Sequence, residues 1–222
     1  MAERQYKKSE LTRERLLEVA EEQFAERGFF GARVDEIAEA ANINKRMLYA
    51  HFGSKDGLYQ TVLLKTYERL AECEKQFIVV GLDPIVSIRN IIFVSFKFLS
   101  ENPNFVRMLL WANLNKGRAV PREALVKLKE PTIDYMRRQI RRGKVMGLFR
   151  EDADFEILTF ILKRDLTTIL EVKLQKGHTE LSKYTLDELG RKLFLFYLRG
   201  ISTPRGQQII EDYLKENEIK IE

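Results

Sequence analysis

The sequence predicts an all-α protein: an N-terminal three-helix helix-turn-helix domain followed by a larger C-terminal helical domain. Three observations carry this. Apolar residues recur at spacings of three and four along most of the chain, and no stretch shows the alternation of a half-buried strand. Proline is sparse, at 5, and glycine modest, at 12, which suits long helices better than a turn-rich β fold. The 222 residues are 45% hydrophobic and 32% charged, a globular balance with enough chain for two domains.

A polar, basic arm from Arg4 to Ser9 comes first. Helix 1 is then predicted from about Arg13 to Arg27, because Leu16, Val19, Ala20, Gln23 and Phe24 share one face. Thr12 is placed to cap its start, and Gly28 to close its end in a left-handed conformation. A second helix spans Val34 to Ala41 with Ile37, Ala38 and Ala41 inward. Asn42 tolerates left-handed backbone better than other non-glycine residues and makes the turn, from which Ile43 plugs the core. Asn44 caps a third helix, Lys45 to Phe52, whose Leu48 and Phe52 lie four apart and face inward; Gly53 ends it.

Ser54 caps a fourth helix reaching about Gln76, lined by Leu58, Val62, Leu63, Tyr67 and Leu70. Asp83-Pro84 and Asn102-Pro103 are N-cap and N1 pairs that open helices ending near Ser100 and Asn115. Pro121 to Val145 reads as helix with a break or kink at Pro131. After a connection from Gly147 to Asp154 comes a helix from Phe155 to Gln175, then a loop from Gly177 to Tyr184. Thr185 with Glu188 forms a capping box before a helix ending near Arg199. Gly200 and Pro204 punctuate the chain ahead of a last amphipathic helix, Gly206 to about Lys215. The domain boundary is drawn at 56/57, giving domains 1–56 and 57–222, with the fourth helix running on to about 76 as a connector.

Several classes of function are disfavoured by what the chain lacks. Cys73 is the single cysteine, so no internal disulfide forms, and the expected compartment is the reducing cytoplasm. The N-terminus has no apolar run of a signal peptide; the most apolar stretch, Ile91 to Leu99, is too short to span a bilayer and contains Lys97, so no membrane association is expected. His51 and His178 are the only histidines, which argues against a transition-metal site, and no cofactor is expected. There is no G-x-S-x-G elbow, P-loop or H-E-x-x-H, so the chain is read as not an enzyme. The net charge of +5 does not locate a site: residues 1–55 carry ten basic and ten acidic side chains. The densest basic run, Arg137, Arg138, Arg141, Arg142 and Lys144, is read as a solvated helix face or as partners for Glu151, Asp152 or Asp154.

The informative segment is 12–63. Two short helices joined by a tight turn make a helix-turn-helix, and burying Leu48 turns Lys45, Arg46, Tyr49 and Ala50 outward. Such a rod, with cations and an aromatic on its free side, is expected to be free to enter a groove of double-stranded DNA.

The stretch VDEIAEAANINKRMLYAHFGSKDGLY, Val34 to Tyr59, resembles the TetR family of bacterial regulators through helix 2, turn, recognition helix and the start of helix 4. Leu48-Tyr49, His51-Phe52 and Ser54-Lys55-Asp56 with Leu58 carry the likeness, and Gly147 to Asp154 is similar to the loop before that family's penultimate, dimerising helix. The resemblance implies a homodimer binding a pseudo-palindromic operator, with half-sites about 34–36 Å apart or slightly more. By position, Lys45, Arg46, Met47 and Ala50 face base edges; Arg46 bonding a guanine bidentately would supply about 1–3 kcal/mol of discrimination. Tyr49, His51 and Lys55 are the candidates for phosphates, and Thr12, Asn44, Arg33, Lys7 and Lys8 for further contacts to the duplex. Four positions depart from the family pattern: Asn42 replaces a turn glycine, Arg46 and Met47 stand where small residues and Thr are usual, and Arg33 replaces a capping Thr or Ser. The last costs helix 2 a cap worth about 1 kcal/mol.

Residues 84–146 are rich in aromatics and methionine, which first of all means core. The resemblance adds a small-molecule effector pocket there, with Asn90, Phe93, Arg107, Met108, Trp111, Asn113 and Tyr135 as candidate lining residues. It also implies a dimer seam from the two helices after Phe155 and Thr185, using Phe160, Ile161, Ile169, Leu193, Phe194 and Tyr197. A ligand-relieved repressor is the reading that follows; the alternative is a ligand-binding or interaction protein that keeps the fold without operator specificity.

Overall fold

A computed structural model of the chain describes residues 2–114, 120–174 and 180–216. These form α1 (Ala2–Gly31), α2 (Val34–Ala40), α3 (Lys45–Phe52), α4 (Lys55–Lys75), α5 (Pro84–Glu101), α6 (Pro103–Leu114), α7 (Arg122–Val145), α8 (Phe155–Leu174), α9 (Leu186–Ile201) and α10 (Pro204–Glu216). A 3-10 turn at Glu180–Lys183 precedes α9. No strand occurs among the described residues; extended pairing is confined to one bridge, Phe149 with Ser202.

From α2 onward the helices start and stop within two residues of their expected limits, and the caps explain why. The Asn44 side chain accepts from the Arg46 N–H at 2.8 Å, and that of Asp83 from the Ile85 N–H at 2.7 Å. At α9 the full capping box is present: Thr185 Oγ1 accepts from the Glu188 N–H, and the Glu188 carboxylate accepts from the Thr185 N–H. Those bonds to the charged form hold the Glu188 carboxyl below its ordinary pKa.

Three expectations need correction. Helix α1 begins at Ala2, so the arm is helical and Thr12 lies inside the helix rather than at its start. The residues before it contain no Gly or Pro and are mostly good helix formers. Pro131 sits within α7, which continues past it, so of the break or kink expected there no break occurs. It lies on the exposed face, where water can bond the carbonyl its missing N–H leaves unpaired. The segment expected as a loop before Tyr184 folds at Glu180–Lys183 into the 3-10 turn; residues 177–179 lie outside the described residues.

The contacts divide the chain into two compact units. Met1–Leu70 groups with Glu101–Leu128, and Ala71–Ser100 with Lys129–Glu222. The sequence reading drew the boundary at 56/57. Helix α6 belongs with the first unit because it packs on α1 and α4. Trp111 lies across the Gly28 turn, the Tyr59 hydroxyl donates to the Met108 carbonyl at 3.0 Å, and Tyr67 meets Phe105 edge-on at 4.9 Å. Leu16, Phe24, Ile37, Leu48, Leu58, Tyr59, Leu63 and Phe105 are buried in this core.

In the second unit Ile85, Ile88, Ile92, Ile140, Phe149, Phe155, Phe194 and Leu198 form the apolar centre. Beside it, Glu74 near the end of α4 is buried and receives Lys129 Nζ at 3.0 Å on both oxygens and Ser95 Oγ at 2.9 Å. A buried charge is tolerated when its lone pairs are taken up in this way.

Candidate nucleic-acid interface

The candidate reader is α3, and its position is set by backbone geometry on either side. Asn42 takes φ 56°, as its residue type allows. With it, the Ile43 N–H reaches the Ala38 carbonyl and the Asn42 N–H that of Glu39, a Schellman closure of α2. Ile43 is half-buried at the turn rather than sealed in the core. Leu48 is fully buried and anchors α3 from behind. Phe52, expected in the core, is half-buried with the Arg13 guanidinium over its ring at 5.7 Å.

The opposite face is open. Lys45, Arg46, Met47, Tyr49, Ala50 and His51 are all exposed, Met47 by 45% and Tyr49 by 39%. The structure therefore brings together six of the residues picked out for DNA on one uncovered surface. Their surroundings differ. Lys45 Nζ lies 2.7 Å from Asp35 Oδ1 of α2, and that hydrogen bond raises the Lys45 pKa. The Arg46 side chain makes no hydrogen bond or ion pair among the described residues. Asn44 directs its side-chain oxygen to its cap.

Around the reader, Lys55 opens α4 with its ammonium 4.7 Å above the Phe29 ring. Arg33 is exposed before α2, on extended backbone and without a side-chain cap, and lies 4.0 Å from Glu36, which also pairs with Arg27. Thr12 is half-buried on α1. The side chains of Lys7 and Lys8 lie outside the described residues. The acidic partners, Asp35 and Glu36, were missed from sequence. A first-turn acid is the ordinary complement of a helix dipole, and nothing in the spacing marks it as a partner of α3.

The candidate effector residues divide between the two units. Arg107, Met108 and Trp111 belong to the first; Asn90, Phe93 and Tyr135 to the second. Met108 is buried, Arg107 bonds Asn104 at 3.1 Å, and Trp111 covers Gly28. The Asn90 carbonyl lies 3.4 Å from an Arg89 nitrogen, Phe93 packs on Phe194, and the buried Tyr135 hydroxyl bonds Ser87 Oγ and the Val79 carbonyl. The Asn113 side chain lies outside the described residues.

A small cleft of about 40 Å³, partly open to solvent, lies between α5, α7, α8 and α9 within the second unit. Ile88, Ile92, Met136, Phe155, Leu158 and Phe194 line it, with Thr159 and Tyr197 supplying the polar groups. In sequence Met136 reads as core, and Phe194 and Tyr197 as dimer seam.

Next to that cleft, Ile157, Phe160 and Ile161 of α8 and Phe196 of α9 stand exposed. Leu193 and Phe194, expected in a dimer seam, are instead buried in the protomer's own core, on the same face of α9 as Leu189, Leu198 and Ile201. Ile169 and Tyr197 are half-buried, and the Tyr197 hydroxyl bonds the Asp165 carboxylate. In the basic run on α7, Arg137 pairs with Asp134 and Glu156, Arg142 donates to the Leu82 carbonyl and Gln139, and Lys144 to the Glu151 carbonyl. No helix among the described residues is long and apolar enough to cross a membrane.

Comparison with known proteins agrees with this geometry. The family of bacterial regulatory proteins of the TetR type matches residues 16–62, and the tetracyclin repressor-like C-terminal domain matches 84–164. The chain is 32% identical over 142 residues to the HTH-type transcriptional repressor NicS of Pseudomonas putida, covering 64% of this chain and 67% of that one. To the repressor SCO4008 of Streptomyces coelicolor it is 33% identical over 156 residues, covering 69% and 75%. The crystal structure of a TetR family transcription regulator from Marinobacter aquaeolei superposes with a TM-score of 0.70 at 20% identity, covering 90% of this chain and 98% of that one. An exposed reader helix in an all-helical chain, and homology across both of its parts, lead to one conclusion: the chain belongs to the TetR family and is a DNA-binding regulator of transcription.

Proposed function

We propose that the protein is a homodimeric repressor that binds a pseudo-palindromic operator and is released from it by a small-molecule effector. The observation that carries this is the open face of α3: Leu48 is sunk in the core while Lys45, Arg46, Met47 and Ala50 project where base edges would lie. Tyr49, His51, Lys55 and Arg33 flank them as phosphate contacts, with Thr12 and Asn44 at the margin. Two readers related by a two-fold axis then meet successive major grooves, about 34–36 Å apart. The exposed apolar strip on α8 and α9 supports the dimer, since isologous pairing would cover it with its own copy. This reading puts the protein in the cytoplasm, where its operator is.

The effector is assigned to the second unit, with the cleft between α5, α7, α8 and α9, widened on binding, as its seat. The lining favours a molecule apolar over most of its surface, with one polar group within reach of Thr159 or Tyr197. Effector and operator oppose each other by linkage. A compound that raises the melting temperature of the protein yet leaves operator affinity unchanged would show that it is not the releasing ligand.

Selection of bound duplexes from a random pool tests the central reading: a palindrome should emerge. A pool that yields no preferred sequence favours the alternative, a binding protein on the same fold. With the operator in hand, Arg46→Ala should relax preference at one base pair per half-site by about 1–3 kcal/mol. Lys55→Ala should instead weaken all duplexes alike and reduce the slope of log K against log salt by about 1. Identical behaviour of the two variants overturns this division of roles.

A further inference from the structure

We propose that Asp35 acts as a built-in competitor of DNA: its carboxylate occupies the Lys45 ammonium and so keeps affinity for DNA of arbitrary sequence low. The proposal rests on α3 being the reader.

The pair joins two helices, with Asp35 in the first turn of α2 and Lys45 at the start of α3, 2.7 Å apart. Both side chains are well exposed, Lys45 by 48% and Asp35 by 71%, so either partner can be exchanged for water or phosphate without opening the core. Asp35 would be at home there without Lys45, because the N-terminus of a helix favours an anion. Its carboxylate is therefore a fixed charge that the lysine joins.

The same helix treats its other neighbours alike. Glu36, next in sequence, takes up Arg27 and lies 4.0 Å from Arg33. Two consecutive acids of α2 thus engage three cations around the reader, and residues 1–55 carry no net charge. A DNA-binding surface ordinarily gains sequence-independent affinity by releasing counterions as cations meet phosphates. A cation already neutralised by a carboxylate contributes little to that release. Arg46 has no such partner among the described residues, so sequence discrimination is left to it while general attraction is held down.

The test is the Asp35→Asn variant of the full-length protein, measured on a random-sequence duplex across a salt series. Asparagine keeps the shape and an acceptor oxygen and removes the charge. Its affinity should rise about two- to five-fold, from the usual strength of an exposed pair. On a duplex that offers Lys45 no matching base edge, the freed ammonium meets a phosphate, so the slope of log K against log salt should steepen by about 0.9. In a Lys45→Met background the same change should lose most of its effect. Unchanged or weaker binding by Asp35→Asn, or a gain that persists in full without Lys45, overturns the proposal. Should Asp35→Asn lower the melting temperature, Asp35→Ser, also suited to a first turn, is measured in its place. If the wild-type protein selects no operator, the regulator reading fails, and the random-duplex comparison still decides the role of Asp35.

Discussion

Replacing Phe160 and Phe196 together by glutamate is expected to yield a folded monomer whose operator affinity has fallen roughly 10²- to 10⁴-fold. Neither ring belongs to the protomer's own core: Phe160 is 65% and Phe196 72% exposed, and Ile157 and Ile161 extend the same apolar strip. Folding of one chain therefore does not depend on them. Pairing does, because four carboxylates would be trapped where like surfaces meet without partners. Each isolated reader keeps its contacts with a half-site, so the loss reflects the effective concentration that one bound reader confers on the other. Sedimentation velocity should show the change in mass, and fluorescence anisotropy should show half-site binding preserved. A variant that stays dimeric with full affinity moves the seam elsewhere.

Gly28→Ala is expected to destabilise the first unit by about 2–6 kcal/mol. Two terms add. Gly28 holds φ 66° with ψ 177°, a region that side-chain-bearing residues enter at a cost of about 1–3 kcal/mol. An added Cβ would also stand 2.7 Å from Trp111 Cε2, and forcing a methyl into packed space costs about 1–3 kcal/mol more. Trp111 is the only tryptophan in the chain, so its emission reports on the clash directly. In a Trp111→Ala background the alanine should retain the backbone penalty and lose the steric one. Equal penalties in both backgrounds would remove the indole from the account. For a chain of this size each kcal/mol lowers the melting temperature by about 2–4 °C.

Much of the reader was legible beforehand because its signals are local. Asn42, Asn44, Gly53 and Ser54 each act on backbone within three residues, and these put α3 at Lys45–Phe52, the limits the structure has. Exposure of Lys45, Arg46 and Tyr49 followed from burying Leu48, since helical period alone turns the others outward. What was not legible depends on distant pairings. The companions of the reader, Asp35 and Glu36, are identified by contacts across a turn. The dimer seam on α9 was placed on the face that turns into the protomer's own core, because Leu193, Phe194, Leu195 and Phe196 are consecutive large hydrophobes that fit several phases. The cleft was invisible for a related reason: its lining uses the same aliphatic residues as solid core, and only packing tells a gap from a filled space.

The grouping of α6 with α1 has a consequence for anyone who wishes to cut or shuffle this protein. A fragment ending after α4 would strip the indole of Trp111 from the Gly28 turn and leave the Tyr59 hydroxyl without the Met108 carbonyl. The reader is thus discontinuous along the chain, its scaffold completed by residues more than thirty positions beyond the end of the first segment. A chimera that grafts these first seventy residues onto a relative's C-terminal half inherits a foreign α6. Portable operator recognition in this protein therefore requires transplanting 101–128 along with the reader.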